Sequence, residues 1–275
     1  MITPVACLLC ADYSLFATPH GSMKRLMGAL AVYVAIEGTL GIRTRDNTDA
    51  RHTDVAWVPP YVPHQVCGFG NTVATLLIEP ELIDVGHTRL FSNDTGAASS
   101  LKELADRVKL AIARIETADD QERQELDLEL LMFGMRLRRR KIDPRVLGAL
   151  EIMRASPADR NLASDLAQAH SLSASRLLHL FKQETGFSFR QLRAWKRART
   201  VLQHITAHKS LTQVALESGY PDSAHFTHTV RRTFGTNPRA IRHGLNNSIF
   251  MIKARLPTSA VLQRSDCEVT LTGAS

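Results

Sequence analysis

The chain has 275 residues, 44% of them hydrophobic and 22% charged, which fits two globular domains and excludes a disordered chain. Its apolar runs fall short of the ~18 residues of a membrane span. The apolar start lacks a basic flank, so a cytoplasmic protein with no signal peptide and no membrane partner is expected. The net charge of +7 is uneven: residues 141–244 hold 16 Lys+Arg against 7 Asp+Glu, while residues 1–140 hold 15 against 18. A local basic excess of this kind attracts a polyanion.

From the N-terminus, residues 1–95 read as short strands with Gly and Pro punctuation, the pattern of a sandwich or small barrel. Ala31–Ile36 is one strand, and Leu40–Thr44 follows as its hairpin partner. Val55–Val58 and Val73–Ile78 are further strands, separated by the Pro59–His64 breaker. Cys7 and Cys10 form a C-x-x-C without a second pair or zinc-spaced His. They read as small buried apolar residues, and four cysteines are too few for a disulfide framework.

After a polar loop at 92–100 the period becomes helical. Leu101, Leu104, Val108, Ile112 and Ile115 share one face. Leu126, Leu130, Phe133 and Leu137 form a second helix face that Arg136 and Arg138 to Lys141 close with positive charge. Asp143-Pro144 starts the next helix.

Residues 145–243 are helices broken by tight turns, and two stretches repeat one plan. In the first, Asn161 caps a helix with Leu162, Leu166 and Ala167; His170–Leu172 turn; Ser173 caps a second helix that Thr185-Gly186 stops. Leu177, Leu180 and Phe181 face inward. In the second, Leu211, Val214 and Ala215 precede the Glu217–Pro221 turn. Asp222 or Ser223 then caps a helix that ends at Phe234-Gly235, with Phe226 and Val230 inward. A long helix with Leu192, Trp195, Val201, Leu202 and Ile205 lies between them and bears Arg190, Arg193, Lys196, Arg197 and Arg199. Such a rod can set two recognition helices into successive major-groove turns, roughly 34 Å apart.

The strings SLSASRLLHLFKQETGFSF and LTQVALESGYPDSAHFTHTVRRTFGTNPRAIR resemble the two halves of the AraC/XylS DNA-binding domain. The likeness covers about 100 residues, over a third of the chain. It implies double-stranded DNA as partner, with Ser175, Leu178 and His179 facing bases in the first unit and Ser223, Ala224 and His228 in the second. Arg176, Lys182, Arg231 and Arg232 would hold the backbone. Val230 and Arg231 depart from the usual Phe-Lys pair. The base-facing residues are small, so shape readout and phosphate contacts are expected to carry much of the affinity.

The family often carries an N-terminal cupin-like barrel that senses a small molecule or dimerises. Val32–Gly38 and Val58–His64 are similar to cupin strands. A cupin metal site needs His-x-His, Glu and a later His; His20, Glu37 and His64 do not supply it, and Tyr61 stands where the motif has Gly. No metal, cofactor or catalytic residue is therefore assigned, and the chain is read as not an enzyme. Tyr33, Trp57 and His64 are the candidates to line an effector space.

The expected class is α+β: a cupin-like β-barrel for effector sensing or dimerisation (1–95), a helical linker and dimer surface or barrel-packing element (96–142), an all-α domain with two helix-turn-helix units joined by a long helix (143–244), and a loose tail (245–275), in which Ser248 to Leu256 dock. A sequence-specific transcription regulator follows, with a small-molecule effector, RNA polymerase and a second copy as further partners. The alternatives are a cupin metalloenzyme fused to a DNA-binding module and a ligand-independent DNA-binding dimer.

Overall fold

The computed structural model describes residues 6–9, 13–19, 22–44, 47–81, 83–84, 95–156, 158–159, 162–205, 209–246 and 249–252. The N-terminal half is built of β1 (Ala6–Leu9), β2 (Tyr13–Pro19), β3 (Ser22–Arg25), β4 (Leu30–Ala35), β5 (Leu40–Thr44), β6 (Asn47–Thr53), β7 (Val55–Val58), β8 (His64–Cys67) and β9 (Thr72–Ile78). One sheet has the order β2-β9-β4-β7 with β1 outside β2, and the other β3-β8-β5-β6. Among the described residues these are two separate ladders that face each other across a shared core, the packing expected of a sandwich or small barrel.

Strand β4 explains the layering. Its six residues are all buried, yet they split by alternation. Leu30, Val32 and Val34 pack toward the helix that follows the sheets, while Ala31, Tyr33 and Ala35 share a core with Leu40 and Val66 of the second sheet. A strand covered on both faces reads as a continuous apolar run. The expected hairpin between β4 and β5 does not form. Both edges of β4 are occupied, by β7 and β9, so the turn at Gly38 (φ 64°) sends β5 into the other sheet.

The linker helix α1 (Thr95–Thr117) lays Leu104, Val108, Ile112 and Ile115 on the outer face of the first sheet. Its apolar stripe thus finds its partner within the chain. The second helix is corrected: in place of one helix through Leu137, α2 (Asp120–Glu125) and α3 (Leu128–Phe133) are two short pieces. Asp127 caps α3, and Gly134 stops it in the left-handed region (φ 68°). Arg136 and Arg139 lie beyond the helix and fold back onto Asp127 and Glu129 at its N-terminal end, so they do not close its C-terminus.

The remaining elements are α4 (Pro144–Ala155), α5 (Leu162–Ala169), α6 (Ala174–Thr185), α7 (Phe189–His204), α8 (Leu211–Glu217), α9 (Ser223–Phe234), α10 (Pro238–Asn246) and β10 (Ile249–Ile252). Asp143 caps α4 with Pro144 in its first turn, as its sequence signals. The tail is not loose throughout: Leu245 and Asn246 belong to α10, and β10 pairs parallel with β1, closing the order β10-β1-β2-β9-β4-β7. Two hydrophobic cores each cross from the sheets into the helices. One runs from the first sheet through α1, α3 and α4 to Leu177 and Phe181. The other runs from between the sheets to Trp195, Phe226 and Val230.

Candidate nucleic-acid interface

The pairs α5–α6 and α8–α9 are two copies of one motif at the level of individual hydrogen bonds. In the first turn Ser171 is left-handed (φ 53°) and the Leu172 N–H donates to Ala167 O at 2.8 Å. In the second, Gly219 is left-handed (φ 77°) and the Tyr220 N–H donates to Ala215 O at 2.9 Å. Each second helix then starts on a side-chain cap. Ser173 accepts from the Arg176 N–H at 3.2 Å, and Asp222 from the His225 N–H at 2.7 Å. Each ends on a left-handed glycine, Gly186 or Gly235, whose N–H donates to Lys182 O or Arg231 O. Asn161, the expected cap of α5, lies outside the described residues.

These shared caps fix the register between the two helices. Leu177 aligns with Phe226, Phe181 with Val230, and Lys182 with Arg231. The first four are buried and the last two exposed. All six predicted base-facing residues, Ser175, Leu178, His179, Ser223, Ala224 and His228, are exposed, as are Arg176, Lys182, Arg231 and Arg232. The same alignment places Thr227 opposite Leu178, a residue the sequence reading left out. Thr227 lines an open groove with Ser223, Ala224, His228 and Arg231 of α9, and Thr212 of α8 and Arg239 of α10 border it. Thr227 was legible from the i, i+4 stripe through Ser223 and Arg231. Arg239 was not, because only the tertiary path of α10 brings it there.

The rod between the units differs most from its sequence reading. Helix α7 starts on a capping box of Ser188 and Gln191 and runs unbroken, as expected. Its cations are largely spent inside the protein. Lys196 and Arg199 are buried, 2% and 8% exposed. Lys196 Nζ lies 2.6 Å from Glu79 Oε2 and also holds Glu81, while Arg199 reaches Glu79 at 2.8 Å. The Trp195 indole N–H donates to Glu79 at 2.9 Å. Burial pushes the Glu79 carboxyl up, but the Lys196 and Arg199 charges more than reverse this and hold it ionised. For Glu81 burial raises the carboxyl further than Lys196 lowers it. Arg193 donates to the backbone of Asp159, and Arg197 lies over the Tyr220 ring at 5.6 Å. Arg190 is the exposed one of the five.

In the N-terminal half, Tyr33 and His64 meet between the sheets, with Tyr33 Oη 2.6 Å from His64 Nε2. His64 Nδ1 lies 2.8 Å from Val62 O, and Arg25 sits over the Tyr33 ring at 5.5 Å. Burial lowers the His64 pKa from 6.5 to about 4, which keeps the imidazole neutral. Trp57 does not join them. It pairs with Val32, whose side chain belongs to the α1 face, and packs in that core. Among the described residues no group of three His, Cys, Asp or Glu side chains is placed to hold a metal; His20 lies outside those residues. The Tyr61 position, where the cupin motif has Gly, is left-handed (φ 59°).

The geometry defines a class, the paired helix-turn-helix domain. Residues 166–244 match the family model described as a helix-turn-helix domain. The transcriptional activator RhaS of Escherichia coli (strain SE11) is 40% identical over 83 residues, and that of Escherichia fergusonii 38% over 88. The stretch shared with the Escherichia coli protein is 29% of this chain and 29% of that one, so the chain spans less than a third of that relative. A transcriptional regulator from Chromobacterium violaceum, described as containing an AraC-type DNA-binding domain, superposes at 28% identity over 36% of this chain and 89% of that one, TM-score 0.34. ToxT from Vibrio cholerae O395 aligns at 8% identity over 84% of this chain and 98% of that one, TM-score 0.48. Residues 166–244 therefore carry a helix-turn-helix domain. No helix among the described residues is long and apolar enough to cross a membrane.

Proposed function

We propose that this chain is a sequence-specific DNA-binding transcription regulator of the AraC/XylS type. The observation that carries the reading is the register-matched pair α6 and α9, each presenting an exposed polar and basic face beside a rigid α7. A B-DNA major groove admits one α-helix, and small polar side chains on its face reach base edges while flanking cations hold phosphates. The base-facing set is Ser175, Leu178 and His179 with Ser223, Ala224 and His228, to which Thr227 is added. Arg176, Lys182, Arg231 and Arg232 take the backbone.

In this reading residues 143–244 bind DNA, residues 96–142 link, and residues 1–95 sense an effector or dimerise, with Tyr33 and His64 as the effector-facing pair. RNA polymerase and a second copy are the macromolecular partners, activation is the mode that the RhaS likeness favours, the cytoplasm is the compartment, and no reaction is catalysed. The test is selection of bound duplexes from a random library with the full chain. Enrichment of a two-part motif with parts about one helical turn apart is expected. Failure to enrich any motif, or affinity that ignores salt, overturns the reading.

A further inference from the structure

The N-terminal half grips the DNA-binding half at three places, one on each part that must be aligned. At the centre, Glu79 and Glu81, at the end of β9 and just beyond it, hold Lys196 and Arg199 of α7, and Arg199 Nη2 also donates to Ser14 Oγ at 2.8 Å. At the first unit, Arg140 donates to Glu184 O at 2.7 Å at the end of α6, and to Pro80 O at 3.2 Å between the two acids. The Tyr61 ring lies on Phe187, which joins α6 to α7, with centroids 5.2 Å apart. At the second unit, the Leu26 N–H donates to Arg232 O of α9 at 3.0 Å, and Gly235 abuts Met23 and Lys24 of β3.

We propose that Glu79 and Glu81 are positioning residues for DNA recognition: they fix α7 on the N-terminal sheets, and so set the spacing and orientation of the two recognition helices. The inference rests on the DNA-binding reading above. Adhesion alone is better served by apolar side chains, because a buried ion cluster costs desolvation that its attraction barely repays. What such a cluster adds is direction: Glu79 Oε1 meets Arg199, Glu79 Oε2 meets Lys196 and Trp195, and Glu81 Oε1 meets Lys196, so α7 cannot slide or roll without stranding a charge. Tyr61 points the same way. A non-glycine residue held left-handed is strained, and here that backbone sets a ring against Phe187, between α6 and α7.

The experiment uses the full chain and the duplex selected with it. The triple variant Glu79→Gln, Glu81→Gln, Lys196→Met removes the ion pairs that hold α7 and strands no carboxylate, while Arg199 keeps its hydrogen bonds to the Tyr13 carbonyl and Ser14 Oγ. Tyr61→Gly is the second variant, which leaves the ions intact and relieves the backbone. Binding is measured to the selected duplex, to one with either half-site scrambled, and to one with about 5 bp, half a helical turn, inserted between the halves. Two rigidly held modules gain about 100-fold or more from acting together. The parent is therefore expected to lose at least about 10-fold on insertion. The triple variant should bind the scrambled duplexes like the parent, bind the intact one at least about 10-fold more weakly, and lose less than about 3-fold on insertion. Tyr61→Gly should shift the same way by a smaller factor. If both variants, folded by near-ultraviolet circular dichroism, match the parent on intact and inserted duplexes, the inference is wrong while DNA binding stands. If the parent enriches no duplex, the functional reading itself has failed.

Discussion

Two turn residues at the same place in the two units carry opposite expectations. Ser171 adopts φ 53° and is exposed, while Gly219 adopts φ 77° with Ala158 Cα and Cβ 2.7 Å from where a Cβ would lie. A left-handed L-residue costs about 1–2 kcal/mol, and glycine's extra unfolded-state freedom returns about 0.4–1. Ser171→Gly is therefore expected to stabilise the chain by about 0.5–1 kcal/mol. Gly219→Ala should destabilise it by about 2 kcal/mol or more, since backbone strain and the Ala158 clash add. Denaturant melts of the two variants check both signs, and equal shifts would contradict the shared turn geometry.

His64 gives a second prediction at this scale. Its folded pKa of about 4 lies below the ordinary 6.5. The unfolded chain thus binds the proton more readily, and the stability held by the neutral ring is complete above pH 6.5 and lost as the pH falls toward 4. The gap of about 2.5 units corresponds to roughly 3 kcal/mol. His64→Gln should flatten the stability profile of the full chain between pH 6.5 and 4 relative to the parent. A parallel pair of profiles would show that His64 titrates normally.

Among elements, the recognition helix α9 begins on an acid where α6 begins on a hydroxyl. Asp222→Ala removes the acceptor for the His225 N–H and should cost about 1 kcal/mol, whereas Asp222→Ser keeps a cap and should cost little. Both remove a negative charge from a face read as meeting phosphates, so both should tighten binding to the selected duplex at low salt. Weaker binding by Asp222→Ser would place that face away from DNA. Elements are also where the sequence was most and least informative. The caps Ser173 and Asp222 and the stops Gly186 and Gly235 are local chemistry, so α6 and α9 were legible to within a residue, with the α9 cap open between Asp222 and Ser223. Strands β1, β2, β3, β6, β8 and β10 are short and mixed in composition and were missed; β4 was found, but its sheet partner was not. Pairing is decided by which edges are already filled, which no local pattern records. The same holds for α7: its stripe of cations has the spacing of a DNA-facing helix, and only Glu79 and Glu81, over a hundred residues away, show where Lys196 and Arg199 go.

At the scale of the molecule, the basic excess that first suggested DNA overstates the charge available to it. Of the 16 Lys and Arg in residues 141–244, Lys196 and Arg199 serve the buried acids, Arg145 pairs with Asp143, and Lys209 with Glu217. Arg242 donates to the carbonyls of Ile205 and Lys209. The cations on the faces that carry the recognition residues are Arg176, Lys182, Arg231, Arg232 and Arg239. Each phosphate neutralised contributes a slope of about −0.9 to log K against log salt. Five contacts thus predict a slope of about −4.5 for the full chain on its selected duplex. Lys182→Ala, Arg231→Ala and Arg239→Ala should each flatten it by about 0.9 and weaken binding evenly across sequences. His179→Ala should instead alter the selected motif and leave the slope in place, because a base contact releases no counterion. A measured slope of about −6.3, two contacts steeper, would mean that binding frees Lys196 and Arg199 from Glu79 and Glu81, so that the two halves part on DNA instead of acting as one rigid reader.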